Sequence, residues 1–284
     1  MTEVSSIAEQ LLFTTVRIET VTHEAEKRVG TGFLFSYKIE DKEYLFLVTC
    51  KHIINNTKDG YLTFIKARGQ KPILEESYRL KIDNFENGWV KHTSDKIDVA
   101  ILPFVPILQH ISNQGTQIFF KAIPHTLVPS DEKLRELDAI EDVLFIGYPA
   151  GLYDQKNLIP IIRRGITATP VYLDFNGEKQ FLIDASVFPG SSGSPVFIYE
   201  PAGYFDKKAK ALVMGGRIFF LGVLSAVFRM PDTGKIIIPT GKTPFVKISQ
   251  LVDIGVVFKA EIIIETIQEF LEEIKDVRPS PNSG

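Results

Sequence analysis

Between residues 13 and 258 the apolar residues come in short runs of strand length, each cut off by glycine, proline, asparagine or aspartate. A buried strand accommodates such a run, whereas a long helix does not survive repeated Gly and Pro breaks. The clearest runs are 13–18, 44–49, 98–104, 143–146, 196–199 and 218–225. One stretch departs from the pattern. Within 259–275, Ile263, Ile267, Phe270, Leu271 and Ile274 recur at helical spacing, with Glu265, Glu269, Glu272 and Glu273 facing away. The chain therefore reads as all-β, sandwich or barrel, with a C-terminal amphipathic helix. Its 284 residues suffice for two packed halves. Short helices are expected at 7–12 and 130–137, and a less regular connection at 105–140. A polar excursion is expected at 200–210, further strands at 235–238 and 244–248, and a disordered tail at 279–284.

Charge and composition narrow the partners. A net charge of −3 gives no electrostatic case for nucleic acid. No apolar run approaches the roughly 20 residues of a membrane span, so no membrane partner is expected. Residues 1–6 lack the basic flank and apolar core of a secretion signal. The single cysteine, Cys50, allows no intrachain disulfide. Together these point to a reducing cytoplasm. With one cysteine and scattered histidines, no metal site and no cofactor are expected.

Three residues carry the chemistry. In Phe188-Pro189-Gly190-Ser191-Ser192-Gly193-Ser194-Pro195-Val196, glycines and hydroxyls crowd a turn that runs into an apolar strand. A serine on such a turn is exposed, and nearby backbone N–H groups can converge on one point. Acyl transfer needs a nucleophilic hydroxyl and donors for the developing oxyanion. Upstream, His52 and Asp98 stand at the ends of strand-like runs. Each alone is an ordinary strand-end or turn residue; together, in the order His, Asp, Ser, they read as a triad. The order and the missing Gly at 194 set the chain apart from α/β-hydrolases, which use G-x-S-x-G before a helix.

The chain resembles chymotrypsin-like serine peptidases, in particular the disulfide-poor bacterial kind with HtrA and glutamyl endopeptidase types. Thr49-Cys50-Lys51-His52 matches the family's T-A-A-H, Asp98-Val99-Ala100-Ile101-Leu102 its D-I-A-L-L, and Gly190-Ser191-Ser192-Gly193-Ser194-Pro195 its G-[DN]-S-G-[GS]-P. Gly30-Thr31-Gly32-Phe33, Gly147-Tyr148-Pro149 with Arg164-Gly165-Ile166, and Gly222-Val223-Leu224-Ser225 give weaker matches over residues 13 to 255. The resemblance implies two six-stranded antiparallel β-barrels with the site between them. The expected divisions are 1–125 for the N-terminal part and first barrel, 126–258 for linker and second barrel, and 259–284 for helix and tail. It also implies Ser192 as nucleophile, His52 as base, Asp98 as orienter, and the N–H groups of Gly190 and Ser192 as oxyanion hole. Ser225 is expected to hydrogen-bond Asp98.

The departures matter equally. Ser191 replaces the acid that pairs with a freed N-terminus in secreted zymogens, so control is expected from loop ordering, oligomerisation or a regulatory partner. The specificity pocket falls on Ser186, Ser225, Val227 and Thr243, with no carboxylate at Ser186 for Arg or Lys and no histidine for Glu. A protein or peptide substrate with a small or medium uncharged residue before the scissile bond is expected. No PDZ module is expected in the stretch after the last strand. Two other readings stand beside the peptidase: a catalytically silent protease fold used for binding or sensing, and an esterase.

Overall fold

A computed structural model describes the backbone of residues 3–235 and 245–277, and the side chains of those residues except 226–252 and 276–277. In chain order the elements are α1 (Ile7–Leu11), β1 (Thr15–Thr22), β2 (Lys27–Ile39), β3 (Lys42–Thr49), α2 (Lys51–Ile54), β4 (Thr57–Arg68), β5 (Lys71–Asp83), β6 (Val90–Lys91) and β7 (Ala100–Pro103). Then come α3 (Val105–Asn113), β8 (Ile118–Phe119), β9 (Ile123–Pro124), α4 (Asp131–Glu136), β10 (Asp142–Gly147), β11 (Ile161–Thr167) and β12 (Gln180–Asp184). The chain continues through β13 (Ser194–Glu200), β14 (Gly203–Asp206), β15 (Ala211–Met214), β16 (Arg217–Lys235), β17 (Phe245–Lys259) and α5 (Glu261–Val277).

The architecture is all-β in two barrel-like halves. The second is a closed barrel of six strands, β10-β11-β12-β17-β16-β13. The first is one nine-stranded sheet in the order β5-β4-β1-β2-β3-β7-β6, with β8 on β4 and β9 on β2. It exceeds six strands by three two-residue strands: β6 at the edge beside β7, and β8 and β9 from the 105–140 connection, which join the sheet at Ile65–Phe119 and Phe35–Ile123. Strand patterning follows burial. In β1 every second residue is buried, as a sheet with one face in a core requires.

The halves meet on aromatic rings. Phe220 of β16 lies 5.3 Å from Phe33 and 5.8 Å from Phe35 of β2, and 5.4 Å from Phe197 of β13. All four rings are fully buried. Burying a Phe side chain contributes roughly 1.5–3 kcal/mol, so this cluster seats one half firmly on the other. The C-terminal helix packs back on the first half: Ile262, Ile263 and Ile267 are buried, and Phe270 meets Phe46 edge-on at 6.2 Å.

Several local expectations change. Helix α1 is fixed by a capping box in which Ser6 and Glu9 satisfy each other's backbone N–H groups. Residues 200–210 are no plain polar excursion. They open a separate hairpin, β14–β15, in which Phe205 pairs with Leu212 and both face solvent together with Met214. Of the strands expected at 235–238 and 244–248, Lys235 ends the long β16 and 245–248 open the long β17, its partner, while 236–238 and 244 lie outside the described residues. Residues 172–174 form a turn leading into a 3-10 turn at Phe175–Gly177. Positive φ at Asn176 and Gly177 breaks any strand there. Among the described residues no helix is long and apolar enough to cross a membrane.

Candidate active site

Strand ends place the three chemical side chains in the groove between the halves. Strand β3 ends at Thr49, and the chain turns into the short α2, which carries His52. Asp98 precedes β7, which pairs with β3 through Thr49 and Ala100. That pairing brings two residues 46 apart in sequence into contact. The His52 Nδ1 lies 2.5 Å from Asp98 Oδ2, and the His52 backbone N–H donates to Asp98 Oδ1 at 2.9 Å. Ser225, from β16 of the second half, donates its hydroxyl to Asp98 Oδ2 at 2.5 Å. One carboxylate thus accepts three hydrogen bonds and ties the two halves together.

These bonds set the charge state of Asp98. Burial pushes its carboxyl up, but the His52 ring, its charge, the Ser225 hydroxyl and the His52 backbone N–H together hold it below its usual value. An ionised Asp98 keeps a proton on His52 Nδ1 and leaves Nε2 as the acceptor. The ring is half exposed, open to the groove.

Cys50 belongs to the same cluster: its sulfur, a His52 ring nitrogen and an Asp98 oxygen lie within 4.8 Å of one another. Burial pushes the thiol well up, so it stays protonated, and it donates to the Leu224 carbonyl at 3.5 Å. A neutral thiol beside a carboxylate already holding three donors is a packing residue, with no ready metal-binding set.

The Ser192 turn rewards a full accounting of its backbone groups. Phe188-Pro189-Gly190-Ser191 closes with Ser191 N–H to Phe188 O at 3.0 Å, with Gly190 at φ +91°. Ser191-Ser192-Gly193-Ser194 closes with Ser194 N–H to Ser191 O at 3.0 Å, with Gly193 at φ +85°. Both carry the type II signature, glycine at the third position. The Gly193 N–H donates to Leu224 O at 2.6 Å. The carbonyls of Pro189, Gly190 and Ser192 accept from Ala150 N–H, the Thr31 hydroxyl and Thr31 N–H at 2.5, 2.9 and 2.9 Å. Of the five N–H groups from Gly190 to Ser194, two have no acceptor among the described residues: those of Gly190 and Ser192. Because a trans peptide points its C=O and N–H in opposite directions, the Ala150 bond turns the Gly190 N–H away from Ala150.

Two details were not legible beforehand. The Ser192 hydroxyl donates to the Ser225 carbonyl at 2.6 Å, and no bond joins it to His52 among the described residues. The Ser191 hydroxyl, where the family has its acid, is buried without a partner among the described residues. Of the expected pocket, Ser186 is half-buried at the end of β12 and Ser225 is buried. Val227 has only its backbone described, opposite Gly255 of β17, and Thr243 lies outside the described residues. Beside Ser186, exposed Phe188 carries the Arg163 guanidinium over its ring at 5.3 Å.

Residues 30–200 match the family model described as a trypsin-like peptidase domain. No curated protein gives a match. The HtrA-type protease AlgW, solved with a tripeptide, is 15% identical at a TM-score of 0.50, over 94% of this chain and 62% of AlgW. The chain thus spans less than two thirds of that protease. Tobacco etch virus protease with its product is 13% identical at a TM-score of 0.47, over 95% of this chain and 83% of its own. The inactive form of Rv3671c from M. tuberculosis H37Rv is 14% identical at a TM-score of 0.45, with each chain covered completely (100%). At this identity the AlgW likeness speaks for the fold alone, while the family match spans more than half of the sequence: the chain belongs to the family of trypsin-like peptidase domains.

Proposed function

We propose that this protein is a serine endopeptidase using His52, Asp98 and Ser192, with the N–H groups of Gly190 and Ser192 as its oxyanion hole. The observation that carries the reading is the backbone accounting at the turn. The two N–H groups left without an acceptor among the described residues are that of Ser192 itself and that of Gly190, the pair the proposed oxyanion hole uses.

The steps follow from the geometry. Ser192 Oγ leaves the Ser225 carbonyl and turns toward His52 Nε2. This exchanges one hydrogen bond for another, at a net cost of about 1 kcal/mol or less. As Oγ attacks the substrate carbonyl, Nε2 takes its proton, and Asp98 stabilises the charged ring. The oxyanion collects the Gly190 and Ser192 N–H groups. His52 then protonates the leaving amine, and water repeats the sequence on the acyl-enzyme. The substrate is a protein or peptide, and AlgW and tobacco etch virus protease were each solved with a peptide or product bound. Ser186 and Ser225 bring no charge to the pocket, which supports a small or medium uncharged residue before the scissile bond. One buried, unpaired cysteine fits work in a reducing compartment such as the cytoplasm.

A second reading has one specific observation in its favour. The Ser192 hydroxyl rests on the Ser225 carbonyl instead of His52, as in a protease fold kept for binding and catalytically silent. Resting enzymes often show such loose triads, so the first reading stands ahead. A peptide-library digest compares the two. Wild type is expected to cleave after uncharged residues, and Ser192→Ala to cleave nothing. A profile dominated by Arg, Lys or Glu contradicts the pocket assignment, and cleavage that survives in Ser192→Ala contradicts the nucleophile.

A further inference from the structure

We propose that Thr31, on β2 of the first half, is the positioning residue that holds the Ser192 turn of the second half in its oxyanion-binding shape. The proposal rests on the peptidase reading above. Thr31 is fully buried, and each of its polar groups is used. Its N–H donates to the Ser192 carbonyl at 2.9 Å. Its hydroxyl donates to the Gly190 carbonyl at 2.9 Å and accepts the Tyr148 N–H at 3.1 Å. Its carbonyl accepts the Thr49 hydroxyl at 2.7 Å, which braces it against β3, the strand that leads to His52. Two glycines make room for this approach. A Cβ at Gly193 would overlap the Thr31 carbonyl, and one at Gly147 would lie 2.5 Å from the Thr31 hydroxyl.

The points of grip decide what Thr31 does. Four consecutive peptide planes, following residues 189, 190, 191 and 192, shape the turn, and the carbonyl of each is held. Pro189 is held by Ala150 and Ser191 by Ser194, both from the second half. The other two planes are held on their carbonyl side by Thr31 alone and on their N–H side by Phe188 and Leu224 of the second half, and they flank the planes that carry the Gly190 and Ser192 N–H groups. Among the described residues no other side chain or backbone group of the first half reaches these four carbonyls. A turn with two positive-φ glycines has low barriers to peptide rotation, so it needs external pins to keep two N–H groups aimed at one point. Supplying two pins from the opposite half makes the oxyanion site depend on how the halves are seated. A serine at 31 keeps every one of these bonds. A valine keeps the shape and the N–H bond but leaves the Gly190 carbonyl and the Tyr148 N–H without a partner.

The test compares Thr31→Val, Thr31→Ser and a control, Thr266→Val. Thr266 is equally buried, but its hydroxyl serves only the Ile262 carbonyl inside α5, at 2.7 Å. Turnover and KM are measured on a peptide amide, together with the affinity of a peptide aldehyde whose adduct places an oxyanion in the hole, and the melting temperature. Thr31→Val is expected to lose about 100-fold in kcat, the size of one lost oxyanion donor. KM stays within twofold, and aldehyde affinity falls in step with kcat. Thr31→Ser recovers most of the loss, and Thr266→Val keeps kcat whatever its melting temperature. The proposal is overturned if Thr31→Val keeps kcat within threefold, if the loss appears in KM, or if serine fails to rescue. Should wild type turn over no peptide, the peptidase reading falls. The clamp is then read from hydrogen exchange across 188–194: faster exchange in the valine than in the serine variant supports it, and equal exchange contradicts it.

Discussion

Asp98→Asn lowers turnover about 10⁴-fold while the protein stays folded, the size of effect this substitution has in a Ser-His-Asp triad. The reason lies in the donors that surround the carboxylate. Asp98 accepts the His52 N–H on one oxygen and both the His52 ring and the Ser225 hydroxyl on the other. An asparagine has one carbonyl oxygen and an NH2, and the His52 N–H and the Ser225 hydroxyl compete for that oxygen. The NH2 then faces His52 Nδ1 and donates to it. The imidazole proton moves to Nε2, where it blocks removal of the Ser192 proton. KM is expected to hold, because the Asp98 carboxylate acts through His52 and Ser225. The same variant changes the acid limb of stability. The carboxyl of folded Asp98 is held below its usual value, so its ionised form stabilises the fold above about pH 4. That contribution disappears as pH falls through the folded value. Urea unfolding between pH 2 and 7 should show the wild type losing stability in acid more steeply than Asp98→Asn; parallel curves contradict the assignment.

Gly190→Ala is expected to lower kcat by about 10²–10³, the range measured when an oxyanion donor is removed. Gly190 sits at φ +91°, and an added Cβ would lie 2.5 Å from the Tyr148 carbonyl and 3.0 Å from the Ala150 nitrogen. Alanine is strained in that backbone region by roughly 1–2 kcal/mol, and the 148–150 backbone gives it no space. The peptide relieves both by rotating, which carries the Gly190 N–H off its target and weakens the Ala150 bond to Pro189. Gly177→Ala is the matched control. It has φ +75° and nothing within 4 Å of its Cβ, so it pays the same strain and keeps its turnover. Equal kcat in the two variants would mean that the Gly190 N–H takes no part.

How far the sequence leads differs from residue to residue. His52, Asp98 and Ser192 were legible because strand-length apolar runs announce where strands end, and turns put side chains into grooves. The hydrogen bond from Ser225 to Asp98 was legible through the resemblance. The Ser225 carbonyl that accepts the Ser192 hydrogen bond was not, since a backbone acceptor leaves no mark on residue identity. Thr31 carries the same lesson. Gly30-Thr31-Gly32 reads as a small-residue strand entry, and only the seating of β2 against the second half shows that the threonine grips the turn. The β14–β15 hairpin was hidden because Lys207, Lys208 and Lys210 dominate its sequence, and its apolar residues face solvent, where no burial pattern forms. The three strands beyond six in the first half were not legible for a plainer reason: β6, β8 and β9 have two residues each, too few to show alternation.

A fluorophosphonate probe measures the central claim most directly, because it phosphonylates a serine that a general base activates beside oxyanion donors. Peptide mapping by mass spectrometry after exposure of the folded wild type at neutral pH is predicted to find one adduct, on Ser192, and none in the Ser192→Ala protein. A folded wild type that takes up no label, or carries it on another residue that stays labelled in Ser192→Ala, would contradict the assignment of His52, Asp98 and Ser192 as a working triad.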